Sequence, residues 1–192
     1  MDQRRQRHLA TKDELISTAW KLTEEKGLAG WSLRELAQAN GIKAPSLYVY
    51  FPSKDQIYDE MFARSYEDLL EYTKQAVLPE DPRERLHIFA TRFFDWAVSN
   101  PARLQLMFWR VVPGFEPSEN AYAASIQTLD LMKQNFADLG ITDPQALDLW
   151  TALLSGLISQ QVSNEPGGDR WRKLIGQAVD MFADEYLKPA RA

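Results

Sequence analysis

The stretch Ser32-Leu33-Arg34-Glu35-Leu36-Ala37-Gln38-Ala39-Asn40-Gly41-Ile42-Lys43-Ala44-Pro45-Ser46-Leu47-Tyr48-Val49-Tyr50-Phe51 decides the fold. Leu33, Leu36 and Ala37 fall on one face of a short helix. Ser32 and Glu35 stand three residues apart, as a capping box requires. Asn40-Gly41 makes a sharp turn, with glycine free to take positive φ. Ile42 plugs that turn, and Leu47 anchors a second short helix on the first. A helix over 11–26 supplies the third wall through Leu15, Ala19 and Leu22. Helix, glycine turn and helix at this spacing is the helix-turn-helix pattern, whose second helix enters the major groove of DNA. By period alone, an ordinary helical hairpin within a bundle is the alternative.

Outward from this stretch the chain keeps reading as helix. Strand-like alternation is absent, and the breaks are helix caps rather than hairpin turns. Thr11/Glu14 and Ser53/Gln56 repeat the capping-box spacing. Asp81-Pro82, Asn100-Pro101 and Asp143-Pro144 each put a capping side chain before a proline at the first helical position. Gly27, Gly41 and Gly140 mark helix ends. The expected fold is all-α with about nine helices, at roughly 11–26, 32–39, 44–50, 53–77, 82–99, 101–110, 118–139, 144–163 and 169–187. The division expected is a helix-turn-helix head over 1–52 and a helical body over 53–192. Ser163–Gly168 reads as a flexible link.

Composition limits the function. In 192 residues there is no cysteine, so disulfides, thiolate metal sites and cysteine nucleophiles are excluded. No apolar run is long enough to span a bilayer, and the charged N-terminus is followed by no apolar stretch, so neither membrane insertion nor a signal peptide is expected and the cytoplasm is the expected location. The net charge of −5 conceals an asymmetry: residues 1–54 carry a surplus of +3 and the remainder −8. A basic head on an acidic body suits docking of one end on a polyanion.

The chemistry of the second helix agrees. Small residues at Ala44, Pro45 and Ser46 let the backbone approach base edges, Ser46 can donate or accept, and Lys43 can reach a guanine edge or a phosphate. Tyr48 and Tyr50 carry hydroxyls suited to phosphate oxygens. Lys54, in the first turn of the next helix, is unfavourable with the helix dipole unless an anion docks nearby. Arg4, Arg5 and Arg7 suit a minor-groove arm, or a frayed, solvated terminus.

The series Leu15, Ala19, Gly27, Ser32-Leu33-Arg34-Glu35-Leu36-Ala37 and Gly41 through Lys54, with its Leu47-Tyr48-Val49-Tyr50-Phe51-Pro52-Ser53-Lys54, resembles the N-terminal domain of TetR-family (tetracycline-repressor) transcription regulators over roughly 11–62. The resemblance implies a homodimer in which each head reads one operator half-site and a small effector binds the body. It implies DNA contacts from Lys43, Ala44, Pro45, Ser46, Tyr48, Tyr50 and Lys54, with Thr11 and Ser32 at phosphates. Lys43, Pro45 and Val49 depart from the residues usual there, so no operator sequence transfers.

In the body, large apolar side chains recur at helical spacing, and residue by residue they read first as core. As a set they suggest a largely apolar ligand pocket lined by Phe89, Phe93, Trp96, Met107, Phe108, Ile126, Trp150 and Leu154, with Arg110 and Tyr122 as polar partners. Asp95 points away from Phe93 and reads as solvated. The region after residue 101 resembles the gate of the family's cavity. The last two helices are expected to form the dimer through Leu147, Leu154, Leu157, Ile158, Leu174, Ile175, Val179 and Phe182. Only His8 and His87 are present, without metal-ligand spacing, and no hydrolase, zinc-protease or P-loop motif occurs; no enzyme activity, metal or cofactor is expected. The competing readings are an all-helical protein-binding adaptor and a small-molecule-binding helical protein with no DNA role.

Overall fold

The computed structural model describes residues 3–187. Among them are nine α-helices and no strand: α1 (Gln3–Lys26), α2 (Leu33–Ala39), α3 (Ala44–Leu47), α4 (Lys54–Lys74), α5 (Pro82–Val98), α6 (Pro101–Phe108), α7 (Glu119–Asp138), α8 (Pro144–Asn164) and α9 (Ile175–Tyr186), with a single 3-10 turn at Arg172–Leu174 before α9. The fold is all-α, as the capping pattern predicts. Ser32 and Glu35 form both halves of the capping box on α2. Asp81 and Asp143 accept amide bonds ahead of their prolines, and Ser53 Oγ accepts from Gln56 N.

The helices gather into two compact units. Unit 1 comprises the described part of Met1–Glu67 with Ala102–Ser125; unit 2 comprises Asp68–Pro101 with the described part of Ile126–Ala192. This division does not follow the boundary expected at residue 52. The reason is that Ile57, Tyr58, Met61 and Phe62 of α4 are buried in one core with Leu15, Leu36, Leu47 and Phe51. Continuous helices α4 and α7 each contribute residues to both units.

In unit 1 the wall of α1 is built as expected, with Leu15 and Ala19 fully buried and Leu22 packed against them. The turn after α2 is closed by Gly41 N to Gln38 O (3.1 Å) and Ile42 N to Ala37 O (3.0 Å), with Gly41 at φ 66°. That is the Schellman arrangement, and it requires the left-handed conformation glycine supplies. In unit 2, α5 packs on α8 and α9. Trp150 lies within 4.9 Å of Phe182 and 5.7 Å of Phe136, ring centre to ring centre, and anchors that core.

Several expectations need correction. Helix α1 begins at Gln3 rather than 11, so Thr11 does not cap it; Thr11 Oγ1 instead donates to Arg7 O one turn back (3.0 Å). Arg4, Arg5 and Arg7 are therefore exposed on a helix and form no extended arm. Helix α3 ends at Leu47 instead of 50, because aromatic and β-branched residues propagate helix weakly and the residue before Pro52 is held out of the α region. Ser163 and Asn164 end α8, and Glu165–Gly168 is a pinned turn: Gln161 donates to Glu165 O and accepts from Trp171 N (3.1 Å), and the Glu165 carboxylate accepts from Arg170 N (2.8 Å). Asp95 is held by a two-pronged pair with Arg172 at 2.7 and 2.8 Å.

Candidate nucleic-acid interface

Leu47, fully buried, pins α3 into the core of unit 1, and this fixes which neighbours face solvent. Lys43, Pro45, Ser46, Tyr48 and Val49 are exposed, with Val49 at 72%; Ala44 and Tyr50 are half-buried. Lys43 is the N-cap of α3 and makes no capping bond with its side chain. A cation, a hydroxyl and a phenol thus stand in one short exposed run, the mixture that hydrogen-bonds base edges and phosphates. Tyr50 is less available than expected, since its ring stacks on His8 at 4.7 Å. Val49 adds an exposed apolar group that was not among the expected contacts.

Ser32 caps α2 and is exposed, but its hydroxyl is engaged with Glu35. Glu35 also receives Lys26 Nζ at 2.6 Å. Lys26 first, then the Ser32 hydroxyl and amide, draw the Glu35 carboxyl from the ordinary 4.5 down to about 2. A carboxylate whose folded value is depressed stabilises the fold above its ordinary value and loses that contribution as pH falls through 4.5 toward 2. Acid titration followed by helical circular dichroism should therefore show unit 1 loosening across that window, and Glu35→Gln should flatten the dependence.

Lys54 takes a different role from the one expected. Its ammonium donates to the carbonyls of Trp31 (2.6 Å), Leu28 (3.3 Å) and, more weakly, Ala29 (3.5 Å). It also lies 4.2 Å from the Trp31 ring centre. Burial pushes it below the ordinary lysine range. Tyr58 Oη donates to the same Leu28 carbonyl. Lys54 therefore closes the α1–α2 connection and has its donors directed inward. Gly30 belongs to that closure, because a Cβ there would sit 1.9 Å from Lys26 O.

The remaining charge of unit 1 is sorted. A groove is lined by Asp55, Asp59, Glu60, Glu67 and Glu116, against Lys12 and Arg64. Arg64 pairs with Asp13 (2.8 Å) and Glu60 (2.7 Å), and Lys12 with Glu60 (3.4 Å). Such a surface repels phosphates. Asp59 also accepts the amide and hydroxyl of Ser118, both at 2.6 Å, tying the start of α7 to α4. No pattern in the sequence signalled this pair, which are 59 residues apart.

Unit 2 holds a cavity of roughly 50 Å³ lined by Leu69, Tyr72 and Thr73 of α4, Phe89, Arg92 and Phe93 of α5, Thr128, Met132, Asn135 and Phe136 of α7, Trp150 of α8, and Ala76. Of the expected pocket residues it brings together Phe89, Phe93 and Trp150. Trp96 instead donates to Asp68 (3.0 Å), and Leu154 is core. Met107, Phe108, Arg110 and Tyr122 belong to unit 1; Phe108 packs on Tyr66, Tyr122 stacks over Phe62, and Arg110 holds φ 45° in the loop after α6. Ile126 is half exposed.

The expected dimer residues divide in the same way. Leu154, Ile158, Ile175, Val179 and Phe182 are buried inside unit 2, because α5 covers that side of α8 and α9. Leu147 and Leu157 are half-buried and Leu174 is exposed. The outward apolar groups are Leu149 and Met181, beside exposed Ala152 and Gly156.

Residues 15–61, the segment that builds this head, match the model of the bacterial regulatory proteins of the tetR family. Over this segment the chain is similar to the tetR family of bacterial regulatory proteins. A curated relative is the HTH-type transcriptional regulator Mb1846 of Mycobacterium bovis, 30% identical over 94 residues, which are 47% of this chain and 40% of that protein. The matched part thus spans well under half the length of that relative. Among solved structures, a protein of unknown function from Rhodococcus sp. RHA1 superposes with a TM-score of 0.79 at 19% identity, covering 92% of this chain and 95% of that one. The TetR-family regulator PfmR of Thermus thermophilus superposes with a TM-score of 0.63 at 22% identity, covering 91% and 99%. The all-helical fold of the described residues is accordingly shared with these structures.

Proposed function

We propose that this chain is a homodimeric, DNA-binding transcription regulator of the tetR kind, a repressor that leaves its operator when a small, largely apolar molecule enters unit 2. The observation that carries the DNA reading is the exposed run Lys43, Pro45, Ser46, Tyr48 on a helix pinned from behind by Leu47. Direct contact falls to these residues and Ala44. Ser32 approaches a phosphate at the start of α2, and Thr11 and Tyr50 have lesser parts. Lys54 acts from behind by shaping the α1–α2 connection. The chain works in the cytoplasm, on double-stranded operator DNA, without a cofactor and without enzymatic chemistry.

The dimer forms through the outward faces of α8 and α9, with Leu149, Ala152, Gly156 and Met181 replacing the internal residues first expected there. Self-complementary pairing about a two-fold axis sets two heads about 34–36 Å apart, one turn of DNA, or a multiple of it. Helix α4 carries Ile57 and Met61 in the head core and Leu69 and Tyr72 at the cavity. A ligand that widens the cavity moves α4, the head spacing departs from the DNA repeat, and affinity falls; coupling of about 1–3 kcal/mol suffices.

Selection of bound duplexes from a random pool tests the reading. The expected product is an inverted repeat with a fixed spacing. Recovery of no consensus, or of a single unrepeated half-site, rejects a dimeric operator reader and favours the adaptor alternative.

A further inference from the structure

Arg92 stands in the wall of the unit 2 cavity among apolar groups, with Phe89 and Phe93 on its own helix and Met132, Phe136 and Trp150 across the space. Its guanidinium lies 4.0 Å from the Tyr72 ring centre, and one Nη donates to the Tyr72 carbonyl. Its Nε is shielded from solvent and has no hydrogen-bond partner. Among the described residues no carboxylate pairs with it, whereas in the same unit Arg83 pairs with Asp180 and Asp184, and Arg172 with Asp95. A shielded, unpaired guanidinium donor in an apolar wall is costly, and a paired one is not. The cost disappears when an anion arrives from outside. Guanidinium offers five donors in a planar fork, of which the Tyr72 carbonyl occupies one; Nε and a neighbouring Nη remain for a two-pronged bond to a carboxylate.

We infer that the cavity takes an organic anion, a carboxylate on an apolar body, with its head group on Arg92 and its body among Phe89, Phe93, Met132 and Trp150. The inference rests on the reading of this cavity as the effector site. A cationic ligand is disfavoured by Arg92, and a neutral one offers Nε only an uncharged acceptor, a weaker partner than a carboxylate. The space of roughly 50 Å³ holds a few waters, so entry requires side chains to yield. Met132, unbranched and adaptable, is suited to do so.

The test measures binding of decanoate, 1-decanol and decylamine to the full chain by calorimetry, below the concentrations at which they self-associate, and repeats it with 2-naphthoate and 2-naphthylmethanol. At least one carboxylate should bind about ten-fold or more tighter than the alcohol of the same skeleton, the strength expected of a charge-assisted pair, and decylamine should bind weakest. Arg92→Gln should bring the carboxylate down to the alcohol while the alcohol's affinity persists, and Arg92→Lys should keep part of the preference. Equal binding of carboxylate and alcohol by the wild-type chain, or a preference that survives in Arg92→Gln, overturns the anion assignment alone. Failure of all five compounds to bind overturns the effector site and this inference with it. Should Arg92→Gln lose its helical circular dichroism, Arg92→Lys and the wild-type comparison decide.

Discussion

Replacing Lys54 by alanine should lower the stability of the chain by about 2 kcal/mol, the net worth of two or three bonds from a charged donor less its desolvation, and the melting temperature by roughly 4–8 °C. The cause is local. Trp31, Leu28 and Ala29 turn their carbonyls toward one ammonium, and with it gone they lose that donor. Lys54→Met, which retains the alkyl stem over Trp31 but no donor, should lose nearly as much. In either variant DNA affinity falls only with the folded fraction, and the dependence of affinity on salt keeps its slope. A phosphate contact would behave in the opposite manner: unchanged melting, uniformly weaker binding, and a salt slope lower by about one unit. Thermal melting beside a salt titration of DNA binding separates the two, and a flattened slope with unaltered melting would contradict the role assigned here.

The second large effect is expected at Leu47. Its side chain is fully buried against the core shared by α1, α2 and the first turns of α4. Leu47→Ala removes three carbon atoms and leaves a cavity, at a cost of about 3 kcal/mol. Since Leu47 is also what orients α3, DNA affinity should fall further than the folded fraction alone accounts for. Val49→Ala, two residues away at 72% exposure, should change stability by no more than about 0.5 kcal/mol. Denaturant unfolding of the pair checks the contrast, and similar losses in both would mean that α3 is not anchored as described.

What the sequence revealed and what it concealed follow from the range of the forces involved. Capping boxes, proline-started helices and the Gly41 turn are local, and their readings at Ser32, Asp81 and Asp143 agree with the structure. Thr11 failed by the same logic: a capping-box spacing is compatible with a helix interior, and residues 3–10 carry no apolar period that would have extended α1 backward. The inward bonds of Lys54 have no signal in the sequence, because its partners are backbone carbonyls more than 20 residues away, brought together only by the bend at Gly27–Trp31. The cavity was legible only where large aromatic residues announced themselves, at Phe89, Phe93 and Trp150. Tyr72 and Arg92 gave no signal, because a stacked arginine with a free Nε looks in sequence like any charged helix position. The broad apolar faces of α8 and α9 read in sequence as a dimer surface, whereas Leu154, Ile158, Ile175, Val179 and Phe182 are buried inside unit 2. Which body covers them was not readable: α5 of the same chain takes Leu154, Ile158 and Phe182, leaving Leu149 and Met181 outward.

The proposed reading of DNA falls first on the exposed run that begins at Lys43. The most direct measurement is the affinity ratio between the duplex recovered by selection and a scrambled duplex, for wild type, Lys43→Ala and Lys133→Ala. Lys133 is an exposed cation of unit 2 paired with Asp130 (3.5 Å). Lys43→Ala should lower the ratio about five-fold or more, the cost of losing a base contact of about 1–3 kcal/mol, while Lys133→Ala leaves it at the wild-type value. An unchanged ratio in Lys43→Ala, or an equal fall in both variants, would contradict the placement of the reading surface on α3.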